Sequence, residues 1–225
     1  GYDQTRADFD FDRGSNAAAT RINSSGLIEK YRENLLLQSN QFDTTWQTGG
    51  ASVTSGQSGY DGSSDAWLLE NISSTITVLV SQQITKASSL YTFSVYVKKG
   101  NVDFVRLIYW NGSAPLQAWF NLTNGATSNT SNLLDAQATS VGNGWYRCQI
   151  LANSNINSVN IYPTPTAGSS ISNLGDNIYI QSAQLETGLV ATDVLTSGAN
   201  TGKAGVLVDM PRINYDANGE NGALL

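Results

Sequence analysis

The sequence predicts an all-β protein: an antiparallel β-sandwich of jelly-roll type, with extended N- and C-terminal arms. Three observations point to it. Short runs alternate apolar and polar residues, most cleanly at residues 90–100, LYTFSVYVKKG, where Tyr91, Phe93, Val95 and Val97 interleave with Thr92, Ser94, Tyr96 and Lys98. Successive side chains of a strand leave opposite faces, so period-two alternation marks a half-buried strand. Turn residues punctuate the runs, as in SGYDGSSD and VGNGW, in the manner of a sandwich. Only 13% of the residues are charged, while Val, Ile, Thr, Tyr and Trp are plentiful, and that composition favours strands over helices.

Taken in order, residues 1–33 read as an irregular arm. Asp8, Asp10 and Asp12 have the spacing of a calcium loop, but Arg13 stands where the turn glycine belongs and no downstream Glu completes the set. A short strand burying Phe9 and Phe11 fits better. SNAAATRINSSG reads as coil ending in a turn at residues 24–26, and LIEKYREN as a brief helical pass too short to stand alone. From residue 34 strands follow one another: LLLQSNQF, then FDTTW with Trp46 closing one end of the core, then residues 51–54, AWLLE and TITVLVSQQI. After 90–100 come DFVRLIYW, LQAWFNL, WYRCQILAN, VNIYP and NIYIQSAQLETG. The module spans residues 34–195, and 196–225 return to coil as a C-terminal arm. ATRINSSG near the start is echoed by MPRINYDANG near the end, a weak repeat of a connecting motif. With Met210 the only methionine and an apolar GALL at the end, both ends are expected to be cuts in a longer chain, with a further module beyond.

Composition narrows function. A net charge of −6 lacks the basic stripe of a nucleic-acid binder, and no run of about 18 apolar residues is present to insert in a membrane. There is no histidine, which removes the commonest general base and transition-metal ligand. Cys148, the only cysteine, occupies an inward position in WYRCQIL and reads as a buried small hydrophobe. Glycosidases need two placed carboxylates, and the spacing of Asp61, Asp65, Glu70, Asp103, Asp135, Asp176 and Glu186 marks no pair. The chain is therefore read as no enzyme.

The outward sets of the strands are more informative. If Val105, Leu107 and Tyr109 face the core, Arg106 and Trp110 face out; Ala118, Phe120 and Leu122 likewise leave Gln117, Trp119 and Asn121 outside. Tyr146, Cys148 and Ile150 leave Trp145, Arg147 and Gln149, and Val159 and Ile161 leave Asn160 and Tyr162. Joined to Tyr96 and Lys98, these residues form one expected platform of rings, amides and cations. Flat aromatic faces match the C–H face of a sugar ring, and planar polar groups match its hydroxyls. Tyr96, Lys98, Arg106, Trp110, Trp119, Arg147 and Tyr162 are the carbohydrate-binding candidates.

NLLLQSNQFDTTW, SQQITKASSLYTFSVYVKKG, AWFNL, VGNGWYRCQI and IYIQSAQLETG together resemble, in that order, a module of tailed-bacteriophage structural proteins. That module is itself similar to the β-sandwich carbohydrate-binding modules of xylanases and cellulases. DFDFDRGSNAAATRINSSGLIE and VDMPRINYDANGENGALL resemble the blocks that flank it. Gln181 stands where such modules often carry Trp. The resemblance implies a non-catalytic glycan-binding module on a virion, in a tail fibre or on the head surface, with host cell-surface polysaccharide as partner. No cofactor is implied; a structural calcium on backbone oxygens and an acidic side chain would suit the family, with no ligand set assigned here. The alternative reading is a purely structural virion decoration or spacer, whose arms bind neighbouring subunits or further copies of itself.

Overall fold

The computed structural model describes residues 32–74 and 79–204, and the backbone of four short strands outside those ranges. The strands are β1 (Thr20–Ile22), β2 (Ile28–Lys30), β3 (Arg32–Asn34), β4 (Gln47–Gly49), β5 (Ala51–Gln57), β6 (Ala66–Asn71), β7 (Leu79–Lys99) and β8 (Phe104–Trp110). They continue with β9 (Pro115–Asn121), β10 (Thr127–Ser131), β11 (Asp135–Gly142), β12 (Trp145–Thr164), β13 (Asn177–Thr187), β14 (Gly202–Ala204), β15 (Ile213–Asn214) and β16 (Ala223–Leu224). No helix occurs among the described residues. Residues 34–202 form one compact unit; residues 1–33 with 203–225 form another. In the latter, β1 pairs with β2 and β15 with β16, both antiparallel.

The unit at 34–202 is a β-sandwich organised by two long neighbours, β7 of 21 residues and β12 of 20. The second half of β7 and the first half of β12 are the centre of one sheet, ordered β5–β6–β13–β7–β12–β11. Their other halves are the centre of the second sheet, ordered β4–β7–β12–β8–β9–β10. Register shifts at Ser154/Ile156 and Ile156/Ser158 mark where the pair bends from one sheet into the other. An extra residue in one strand re-aims it, and strands that switch sheets make the corners of a sandwich.

The inner faces meet in a single core. Phe93, Val95, Val97, Cys148, Ile150 and Ile180 come from the first sheet, and Val105, Leu107, Tyr109, Phe120, Val159 and Ile161 from the second. Tyr109 crosses the core, its hydroxyl 2.9 Å from the carbonyl oxygens of both Tyr91 and Ile150. The two remaining faces point away from each other, one from each sheet.

Several local expectations change. TITVLVSQQI and 90–100, read as separate strands, are one continuous β7 from Leu79 onward, and WYRCQILAN and VNIYP are both part of β12. The polar residues between them mark a bend, not a turn. LLLQSNQF and FDTTW are turns whose apolar side chains Leu36, Phe42 and Trp46 are nonetheless buried. The cause is Asn34: its Oδ1 accepts from the amides of Leu36 (3.2 Å) and Leu185 (3.1 Å), and its Nδ2 donates to the carbonyls of Ala183 (3.1 Å) and Leu195 (2.9 Å). A side chain that takes up backbone groups in this way competes with strand pairing. The helical pass at LIEKYREN is replaced by β2 and β3.

Residues 196–202, expected in the C-terminal arm, pack on the sandwich. The amide of Ser39 reaches the carbonyl of Ser197 (3.2 Å), and that of Gln38 the carbonyl of Gly198 (2.8 Å). The expected strand around Phe9 and Phe11, the Asp8–Asp10–Asp12 run and the turn at 24–26 lie outside the described residues.

Candidate functional site

The predicted platform is divided between the two outer faces. Arg106, Trp110, Trp119 and Tyr162 lie on the face of the β8–β9 sheet; Tyr96, Lys98, Arg147 and Trp145 lie on that of the β6–β13 sheet. The reason is the bend of β7 and β12. Alternation holds within each half of a strand, but a face that continues in sequence does not continue in space once the strand has changed sheets.

On the β8–β9 face, Tyr162, Arg106, Trp119 and Ser128 are direct cross-strand neighbours on β12, β8, β9 and β10. Neighbours of this kind interact across a sheet. The Arg106 guanidinium lies 4.8 Å from the Trp119 ring centroid and 5.1 Å from that of Tyr162. Its Nε donates to Gln117 Oε1 at 3.0 Å, and its Nη2 donates to the same oxygen. No bond among the described residues uses its Nη1. Burial lowers the guanidinium from its ordinary value, Tyr162 acting the other way, and burial pushes the Tyr162 phenol up.

Trp119 is only 4% exposed, with its indole N–H given to the Ser169 carbonyl at 2.9 Å, so it supports Arg106 from below. Trp110, 39% exposed, follows Arg106 and Ile108 on the same face of β8 and presents a ring to solvent. The hydroxyl of Ser128 is buried without a protein partner, as is that of Thr164, which follows Tyr162 on the same face of β12. The face thus combines a fixed cation and an accessible ring, with two unpartnered hydroxyls buried beneath its surface.

The β6–β13 face is more enclosed. Tyr60, in the loop between β5 and β6, stacks on Tyr96 with centroids 3.7 Å apart and planes 4° from parallel. The Arg147 guanidinium lies 5.4 Å from the Tyr96 ring and its Nη2 donates to Ser94 Oγ at 3.2 Å. Trp145 is 1% exposed, with the Tyr60 ring edge-on at 6.5 Å. Tyr96 and Trp145 therefore close the outside of the sheet rather than offer free rings. Gln181 takes part in holding the cover down: its Oε1 accepts from the Tyr60 amide at 2.9 Å and its Nε2 donates to Asp65 at 2.5 Å. A side-chain carbon at Gly59 would meet that amide oxygen at 2.6 Å, so the close approach needs glycine.

Two residues that the sequence reading passed over belong to this face. Tyr179 was legible, because Ile178 and Ile180 facing inward put it outward with Gln181. Tyr60 was not, because nothing in a turn-rich loop says where its ring will land.

Ser63 bridges Asp61 and Asp65 by hydrogen bonds. The Ser63 hydroxyl holds the Asp61 carboxyl below its ordinary value, the reverse of what a general acid requires. No group of three or more His, Cys, Asp or Glu suited to a metal occurs among the described residues.

No family model matches the chain, and no curated protein does. Among solved structures it is similar to the enzymatically active domain of bacteriophage CBA120 tailspike protein 4, at 14% identity and TM-score 0.40, over 68% of this chain. It spans only 21% of that tailspike chain. It is also similar to TmCBM61, solved in complex with β-1,4-galactotriose, at 12% identity and TM-score 0.40, over 69% of this chain and 99% of that one. A family 29 carbohydrate-binding module, CBM29-2 mutant D114A, matches at 9% identity and TM-score 0.37, over 71% of this chain and 86% of that one.

Proposed function

We propose that this chain is a non-catalytic glycan-binding module of a phage virion, holding host polysaccharide on the outer face of the β8–β9 sheet. The observation that carries this reading is the Tyr162–Arg106–Trp119 stack with the exposed Trp110 ring on the same face. Two rings and Gln117 hold the guanidinium in place before any ligand arrives, so little side-chain entropy remains to be lost on binding. Its Nη1, used by no bond among the described residues, is left for a hydroxyl of an oligosaccharide that extends along the face beyond Trp110. The virion setting is supported by the five ordered segments that resemble a phage structural module. A shallow face of this kind makes few contacts, so a single site should bind at roughly 10 μM to 1 mM, with many copies on a particle supplying avidity.

Affinity electrophoresis against host surface polysaccharide tests the reading. A stacked ring is worth on the order of 1–2 kcal/mol, so Trp110→Ala should weaken binding about tenfold, with a melting temperature unchanged because the ring is partly in solvent. Unchanged retardation in both Trp110→Ala and Arg106→Ala would remove the site from this face.

A further inference from the structure

We propose a second binding site, for the anionic group of an acidic saccharide, in a cleft on the opposite outer face. The cleft has a volume of about 530 Å³, within the range of small-molecule sites, about 300–1,000 Å³. Its lining includes Lys98, Tyr179, Gln57, Ser58, Asn101 and Asn177.

Lys98 and Tyr179 face each other directly across β7 and β13. Among the described residues the Lys98 ammonium has no ion pair and no hydrogen bond, and no carboxylate lines the cleft. Lys99 also lines the cleft but differs, its ammonium being paired with Asp103. In a chain of net charge −6, a lysine left without a counter-ion inside a cleft favours an anion arriving from outside.

The end of the cleft is rigid. The amide of Asn177 donates to Asn101 Oδ1 at 2.7 Å and that of Asn101 to Asn177 Oδ1 at 3.2 Å, while both side-chain amides donate to the Gly175 carbonyl. A side-chain carbon at Gly100 would come within 2.1 Å of Asn177 Oδ1, so glycine lets the two segments close. These amides are therefore committed, and the groups left for a ligand include the Lys98 ammonium, the hydroxyls of Tyr179 and Ser58 and the side-chain oxygen of Gln57. An acidic sugar with its carboxylate or sulfate against Lys98, its ring on Tyr179 and a hydroxyl toward Ser58 engages the charged group, the ring and the rim of the cleft together. A peptide side chain would find no apolar floor beyond the single Tyr179 ring.

Titration calorimetry on the full chain separates this site from the β8–β9 face. The probes are oligogalacturonate, the same oligomer with its carboxylates reduced to hydroxymethyl groups, and the reduced oligomer after sulfation. At least one acidic oligomer should bind about tenfold more tightly than the neutral one, as expected for a charge-assisted hydrogen bond. Which of the two it is names the anion. Lys98→Gln should erase that preference with an unchanged melting temperature, whereas Trp110→Ala should keep it. Failure of both acidic oligomers to bind, absence of any preference, or a preference that survives Lys98→Gln overturns the proposal. Failure of the parent chain to bind the neutral oligomer, with the acidic preference intact, counts against the β8–β9 face and not against the cleft.

Discussion

Arg106, on the outer face of the β8–β9 sheet, and Cys148, in the core beneath the other sheet, show how differently burial acts on a reactive group. Arg106 is drawn partly out of water yet keeps a planar partner on each side and Gln117 at its edge, so the cost of desolvation is offset by contacts that a lysine could not make. Cys148 has no such compensation: it is fully buried among apolar side chains, and burial pushes its thiol well above the ordinary value. The thiolate is the reactive form. Cys148 should therefore resist iodoacetamide in the folded protein and react fully after denaturation, as followed by mass spectrometry. Rapid labelling of native protein would show that β12 is out of register by one residue, which would turn Arg147 inward. Its inward position was legible in the alternation of WYRCQI, because strand parity is a local property.

At the scale of elements, the least legible stretch is the one that looks most like a strand. LLLQSNQF has the apolar content of β structure, but Asn34 makes four hydrogen bonds with the backbone at Leu36, Ala183, Leu185 and Leu195. Its side chain stands in for a strand partner, and Leu36, Phe42 and Trp46 become a plug instead of a ladder. Three of the four partners are distant in sequence, so no local pattern announces them. Asn34→Ala leaves buried carbonyls and amides unpaired, each worth about 1–3 kcal/mol, and should lower unfolding free energy by about 3 kcal/mol or more. Urea denaturation measures this, with Asn153→Ala, an exposed position, as the comparison. A loss no larger than that of the comparison would mean that water takes over the role of the Asn34 amide.

For the whole molecule, stability should depend on pH at the extremes and little between them. Burial raises Cys148, Tyr109 and Tyr162. Such groups hold protons more tightly when folded, so their contribution is complete below the ordinary thiol and phenol values of 9.0 and 10.0 and is lost as pH rises through the folded ones. Asp61 and Asp103 are held low, first by hydrogen bonds from Ser63 and Lys99 respectively. Their contribution is present above the ordinary carboxylate value of 3.8 and is lost as pH falls through the folded values. With no histidine in the chain, the melting temperature should be level from about pH 5 to about pH 8 and fall on the alkaline side. A melt series in matched buffers checks it; a slope across the neutral range as steep as the alkaline one would contradict it.

The sequence by itself determined the class of fold and the inside and outside of most strands. Both follow from a period of two that each short segment carries within itself, and the outward positions of Arg106, Trp110, Trp119 and Tyr162 were legible for that reason. Only the tertiary structure decided which outward residues share a surface. β7 and β12 change sheets at bulges, where parity slips in a polar run, NSNINS, that looks like a gap between two strands. A bulge is set by how two sheets must close over a common core, not by a residue signature. The candidates from Tyr96 to Tyr162 therefore lie on outer faces but on two of them. The same holds for what covers them: Tyr60 on Tyr96 and Ser169 on Trp119 come from loops whose paths depend on where the sheets place their ends.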